Sequence, residues 1–329
     1  MPTALLSHIV PQPLCRFRWV FCQLDWLRRC LPQRIRCALD ELPETLDETY
    51  ERTLQRIDEV NWRLAHRLFQ CVAVALRPLR VEEVAEFLAL DFKTGSIPDL
   101  NPIWRPENPR DAVLSTCSSL LVVVNVGDSQ VIQFSHYSVK EFLTSDRIAK
   151  AGATVARFEV LMEPAHTVFA QGCLAILLKL SANSNRSTIE GVPLAHYAAQ
   201  HWADHALLVK ASRNIQDGMK RLFDPRKPHF ALWVWICDTI PGSSLQTIIQ
   251  NLSRLAQAPF NDDVFRDFLD MGVGAVTGRP LEKAAWVSGI SIIVIWDLTL
   301  SGHTASSSRP CICQRSRQRR LDSSLLRVE

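Results

Sequence analysis

Long apolar runs are missing from this sequence. The one near the end, Val287 to Trp296, has about half the ~20 residues a membrane-spanning helix needs, and Asp297 stops it. No basic segment followed by an apolar core and a small-residue cleavage site opens the chain, which argues against a secretory leader. The ten cysteines (Cys15, Cys22, Cys30, Cys37, Cys71, Cys117, Cys173, Cys237, Cys311 and Cys313) form none of the paired C-x-x-C knots of a zinc site. They read as free thiols of a reducing compartment, and the chain as cytoplasmic. Excess charge is also lacking. Lys and Arg number 37 against 34 Asp and Glu, a net charge of +3 that is too small to argue for nucleic acid. No G-x-S-x-G elbow occurs, so a serine hydrolase is excluded. No GxxxxGK[ST] occurs either, so there is no backbone cradle for phosphates, no lysine to reach the β- and γ-phosphates and no hydroxyl for magnesium. The chain reads as no enzyme, with no cofactor and no membrane contact.

What is present is architecture. Leu120-Leu-Val-Val-Val-Asn125 and Val131-Ile-Gln-Phe-Ser135 are β-branched and aromatic runs, separated by the turn formers of Val126 to Gln130. They predict a hairpin with Leu121, Val123, Ile132 and Phe134 on its packed face. Tyr137 to Leu143 follows at helical spacing.

Helices surround this hairpin. Leu14, Phe17, Phe21, Leu24 and Leu31 predict an amphipathic helix over 14 to about 31, largely buried, with Trp19 and Trp26 as a second apolar edge. Thr45 and Glu48 have capping-box spacing and open a second helix. Asn61 is the predicted N-cap of a third, whose inward residues are Trp62, Ala65, Leu68, Phe69, Val72 and Leu76 and which Pro78 ends. A short fourth spans about Val81 to Leu90. Four prolines between Ile97 and Pro109 predict a loop without regular structure, leading to a helix near Asp111–Cys117. Beyond Ser145 the pattern predicts helices at about 156–180, 193–210, 214–223, 230–240, 243–257 and 261–270. The fold class expected is mainly α: a winged-helix module with one β-hairpin, followed by stacked helical pairs.

Three stretches carry a family resemblance: Leu42-Pro-Glu-Thr-Leu-Asp-Glu-Thr-Tyr-Glu-Arg52, Arg77-Pro-Leu-Arg-Val-Glu-Glu83 and Phe134-Ser-His-Tyr-Ser-Val-Lys-Glu-Phe-Leu143. The chain resembles the segment that follows the NACHT ATPase core in fungal NACHT–ankyrin proteins, which are STAND ATPases related to NOD-like receptors. Phe17 to Leu27 shares the resemblance, as do Ala165-His166, Cys173-Leu174, Pro193 to Ala199 and Trp202, so that it covers roughly residues 14 to 270. It implies an N-terminal helix from the end of the NACHT helical region (1–40), a winged-helix domain (41–150), a helical extension (151–274), a degenerate ankyrin-like repeat (275–300) and a disordered basic tail (301–329). The function implied is a non-catalytic regulatory and protein-interaction segment that couples a nucleotide module to a recognition array. The alternative is a fragment or subunit of a NACHT NTPase whose P-loop lies on a missing or separate N-terminal part. The partners implied are proteins, with a homo-oligomer when part of a full-length STAND protein; nucleic acid is not among them.

One residue draws a site role from this resemblance. In related STAND proteins a histidine at the end of the winged helix contacts the ADP phosphate, and His136 stands at that place with Tyr137 where an aspartate usually follows. His136 is thus the candidate nucleotide-sensor position, acting only with a partner ATPase module; the other reading is a histidine that caps the Tyr137 helix or is satisfied in the core. His201 and His205, four apart, have the separation of two zinc ligands, but Trp202 replaces the glutamate of H-E-x-x-H and no third ligand is evident, so a surface helix and no metal are expected. Glu82-Glu83 and Asp262-Asp263 read as solvated helix faces or starts. Cys15/Cys22 and Cys30/Cys37 read as buried free cysteines. Arg315 to Arg320 reads as an arginine-rich end.

Overall fold

A computed structural model describes residues 13–255, apart from 29, 94, 181–185, 210–212, 225–226, 241–249 and 252–253. The expected helices at 243–257 (in large part) and 261–270, the ankyrin-like repeat, the basic tail and Asp262-Asp263 lie outside the described residues. In chain order come α1 (Pro13–Leu27), α2 (Ile35–Asp40), α3 (Leu46–Gln55), α4 (Trp62–Val74), β1 (Leu79–Arg80) and α5 (Val81–Ala85), which continues as a 3-10 turn over Glu86–Ala89. Then follow β2 (Leu90–Asp91), β3 (Asp99–Leu100), α6 (Pro109–Cys117), the hairpin β4 (Leu121–Val126) and β5 (Ser129–Phe134), and α7 (Tyr137–Leu143). The rest is helical: α8 (Asp146–Ala149), α9 (Ala153–Ala156), α10 (Met162–Lys179), α11 (Arg186–Glu190), α12 (Ala195–Leu207), α13 (Arg213–Leu222) and α14 (His229–Thr239). The fold is mainly α with a small antiparallel sheet.

The expected hairpin forms, with a turn of two residues in place of the five expected from Val126 to Gln130. Leu121 lies opposite Phe134 and Val123 opposite Ile132. Its two-residue turn needs a positive φ, which Gly127 supplies at 57°. Leu121 and Ile132 are buried, and Val123 and Phe134 pack half-buried against the core. The sequence did not announce the third strand: β1 is only Leu79–Arg80, pairing with Ile132 and Val131 to give the order β1-β5-β4.

Local chemistry explains the helix starts. The Thr45 hydroxyl accepts the Glu48 amide at 3.1 Å, and the Glu48 carboxylate reaches back to the Glu44 amide at 3.0 Å, one residue earlier than a standard box would place it. Asn61 precedes α4 but its side chain caps nothing there, because its backbone is already helical (φ −101°, ψ −8°) rather than extended. The helix ends at Val74, so that Leu76, expected inward, is exposed.

Two further expectations are corrected. The segment rich in proline does contain regular structure, since Leu90 pairs with Leu100 and Asp91 with Asp99; Pro98 and Pro102 flank this ladder instead of occupying it. More consequential is α1. Its expected core residues Phe21 and Leu24 are 57% and 51% exposed, whereas Arg18 and Gln23 are buried. The buried side is held by polar bonds: Trp19 Nε1 donates to the Pro43 carbonyl at 2.8 Å and Gln23 Nε2 to Thr49 Oγ1 at 2.9 Å. Leu31 is exposed too, and the side chains of Leu14 and Phe17 lie outside the described residues.

The extension is built around α10, whose 18 residues are apolar nearly all round, as a helix packed on several sides must be. It pairs with α12 and also meets α4, α13 and α14; α12 packs in turn on α14. Gly172 makes the close approach possible, because a Cβ there would stand 2.6 Å from Phe87 Cε1. Gly172→Ala is expected to lose about 1–3 kcal/mol to overpacking, more than the ~1 kcal/mol that alanine gains in a helix. Urea denaturation checks this: a raised midpoint would mean that the Phe87 ring yields without cost.

Candidate functional site

At the junction of the sheet-bearing half and the helical extension lies a chain of buried polar groups. It begins at Glu83, which α5 places in its first turn and which is 0% exposed. Its carboxylate accepts Arg77 Nη1 and Nη2 at 2.8 and 2.7 Å and the Arg80 amide at 2.8 Å. Burial alone would raise this carboxyl, but the hydrogen bonds and charges of Arg77 and Arg80 outweigh it and hold the group below the usual carboxylate range. The reading of Glu83 as a solvated helix face is therefore corrected: only its neighbour Glu82 is exposed.

The Arg77 guanidinium then lies 4.8 Å from the centroid of the Tyr197 ring on α12. The Leu76 amide donates to the Tyr197 hydroxyl at 3.0 Å, and that hydroxyl is 3.0 Å from His205 Nε2. His205 Nδ1 is 2.8 Å from His166 Nδ1 on α10. Hydrogen-bond satisfaction assigns the protons. With its oxygen accepting from Leu76, Tyr197 donates its proton to His205 Nε2. His205 carries its own proton on Nδ1 and gives it to His166 Nδ1, so both ring nitrogens of His205 are matched. Burial, then the nearness of His166 and His201, pushes His205 down to about 3, so it is neutral at pH 7. The Phe169 ring stacks on it at 4.4 Å and 11°.

These positions overturn the surface-helix reading of His201 and His205. α12 is largely buried, with Tyr197, Trp202 and His205 all inside. His201 is partly exposed and faces Asp204 at 3.6 Å, and Asp204 also takes Arg254 at 2.7 Å. Among the described residues no group of three or more His, Cys, Asp or Glu could hold a metal ion. The cysteine expectation is mixed: Cys71, Cys117, Cys173 and Cys237 are buried and in no disulfide, but Cys22 and Cys30 are half-buried and Cys37 is exposed.

His136 sits apart from this chain. It is the N-cap of α7, in extended conformation, and its Nδ1 accepts the Ser138 amide at 3.3 Å. The Ser138 hydroxyl lies 2.6 Å from the same Nδ1 and 2.8 Å from the buried Tyr50 hydroxyl. Tyr50 thus donates to Ser138 and Ser138 to His136, which fixes the imidazole proton on Nε2. Partial burial and then the charge of Arg18 lower the His136 pKa. The ring is a neutral cap whose Nε2–H has no hydrogen-bond partner among the described residues. Beside it, Arg18 Nη2 donates to Ser135 Oγ at 2.5 Å.

Residues 50–155 match the family described as GPI inositol-deacylase, winged helix domain. This part of the chain is a winged-helix domain. The chain is also 32% identical over 206 residues to the azaphilone pigments biosynthesis cluster protein L of Monascus ruber, a match that takes in 60% of this chain and 42% of that protein. The chain therefore spans less than half the length of this relative. No solved structure matches. Among the described residues no helix is long and apolar enough to cross a membrane.

Proposed function

We propose that this chain is a non-catalytic regulatory and protein-interaction segment in which the winged-helix domain and the helical extension act as one unit. The observation that carries the reading is the buried chain Glu83, Arg77, Tyr197, His205 and His166, which ties the end of α4 and the start of α5 to α10 and α12. Such a tie transmits a displacement of one half to the other, which is what a coupling element needs. It places no nucleophile beside a general base in a cleft, and burial holds the thiols of Cys71, Cys117 and Cys173 in their protonated, inert form. The winged-helix match, together with the resemblance to NACHT–ankyrin proteins, supports a segment of a STAND-type cytoplasmic signalling protein that couples a nucleotide module to a recognition array and meets protein partners.

One observation favours a second reading, a subunit of a NACHT NTPase whose P-loop lies elsewhere. The His136 Nε2–H is a donor with no partner among the described residues, the group that a phosphate held by such a module would take. Calorimetry of the isolated chain with Mg-ATP separates activity from its absence. No binding heat and phosphate release at the level of buffer are expected; micromolar affinity with release above buffer would overturn the non-catalytic reading.

A further inference from the structure

The α1–α2 surface carries an apolar stripe that faces outward. At about 100° per residue, Val20, Phe21, Leu24 and Arg28 fall within one arc of roughly 100°. Arg18, Cys22 and Gln23, with Trp19, turn to the opposite side, where the polar bonds to Pro43, Thr49 and Ser135 form. Phe21, Leu24 and the following Leu31 are 57%, 51% and 67% exposed, and Ile35 and Leu39, one turn apart on α2, are exposed as well. A chain that burns two polar residues into its core side while leaving Phe and Leu at i, i+3 spacing in water has an apolar seam for another helix.

Charge says what kind of helix. Residues 13–40, from the start of α1 to the end of α2, hold six arginines and two aspartates. Arg28, Arg34 and Arg36 are exposed, and no ion pair among the described residues engages them. Arg18 is not part of this surface, because it is 9% exposed and its Nη2 donates inward to Ser135 Oγ. A second copy of this surface would bring arginine against arginine, which disfavours self-association here.

Resting on the proposed interaction role, we propose that the α1–α2 surface docks an acidic amphipathic helix of a partner protein. Its apolar stripe seats on Val20, Phe21 and Leu24, and its flanking carboxylates meet Arg28, Arg34 and Arg36. Helix-in-groove recognition of this type reads apolar anchors at i, i+3, i+4 and i+7.

The test uses the full 329-residue chain and a labelled helical peptide with leucine at those anchor positions and glutamate on both flanks, measured by fluorescence anisotropy. Saturable binding is expected, weakening about tenfold or more in three situations: at high salt, in F21S/L24S, and when lysine replaces the glutamates of the peptide. Both substituted positions are solvent-exposed, so the melting temperature of F21S/L24S should match that of the parent. R28E/R36E, with both side chains in water, provides a second folded variant and should also lose at least tenfold. Equal binding of the acidic and basic peptides, or undiminished binding by both variants, overturns the proposal. So does sedimentation with vesicles containing phosphatidylserine in place of peptide binding, or a dimer in analytical ultracentrifugation that F21S/L24S abolishes. Absence of peptide binding with no ATP turnover rejects this surface alone and leaves the regulatory reading standing; ATP turnover rejects that reading whatever the peptide does.

Discussion

Acid is expected to destabilise the chain from pH 6.5 downward, and above about pH 4.5 it does so through His205 and not through the carboxylates. In the unfolded chain His205 titrates near its ordinary value of 6.5, whereas in the fold burial and the neighbouring imidazoles hold it near 3. The neutral form is the one the fold binds, so its stabilisation is fully present above pH 6.5 and is lost progressively as pH falls toward about 3. The gap corresponds to roughly 5 kcal/mol at about 1.4 kcal/mol per pH unit, of which ~3 kcal/mol is gone by pH 4.5. His166 is lowered as well, by burial first and then by Lys140, and adds in the same direction. Glu83 and Asp204, whose pKa values are also lowered, keep their contributions above the usual carboxylate range and begin to lose them as pH falls through their ordinary values of 4.5 and 3.8. Urea midpoints at pH 7.5, 6.0 and 4.5 measure the slope. His205→Gln keeps an acceptor for Tyr197 and a donor for His166 but cannot titrate, and its slope over this window should be distinctly shallower. Parallel slopes for parent and variant would mean that the imidazole pair is hydrated rather than buried.

The second large effect is expected at Glu83. Glu83→Gln keeps the shape but removes the charge that two arginines share, and breaking a buried pair from one side costs about 3–5 kcal/mol. The lower end, about 3 kcal/mol, is expected because the Arg77 side chain is 35% exposed and can recover some hydration. The loss should extend to α12, because Arg77 also lies over Tyr197. A double-mutant cycle of Glu83→Gln with Tyr197→Phe should therefore give an interaction energy above about 0.5 kcal/mol. A loss below about 0.5 kcal/mol from Glu83→Gln alone would class the contact with ordinary surface ion pairs.

The hairpin was legible in the sequence because β-branched alternation and a glycine turn are local signals. The start of α3 was legible for the same reason, since Thr45 and Glu48 sit three apart. β1 was not, as two residues carry no period; only their pairing with Val131 and Ile132, some fifty residues on, makes Leu79–Arg80 a strand. The period of α1 is visible in its residues, but the side it turns to the core is not. A 3.6-residue stripe says which residues share a face, but not which face the rest of the chain covers, and here Trp19 and Gln23 found partners on the polar side. The buried chain at the junction was hidden for a related reason. His166 and His205 are 39 residues apart and Leu76 and Tyr197 are 121 apart, so no local pattern joins them. The Arg80–Glu83 spacing of one helical turn was available as a hint, but an Arg and Glu three apart are usually a solvated pair. His136 was legible as a cap through its position before Tyr137.

The Leu76 amide makes the state of the junction visible at one atom. It lies just beyond the last turn of α4, where an amide would ordinarily trade its proton with water within moments of fraying, yet its acceptor is a hydroxyl on α12. Its hydrogen exchange is consequently governed by the seating of α12 and not by the local strength of α4. A helix end with little stability of its own thus takes on the protection of a distant packed helix. Loosening of the extension, by whatever cause, reaches the winged-helix domain first as a newly labile proton at residue 76.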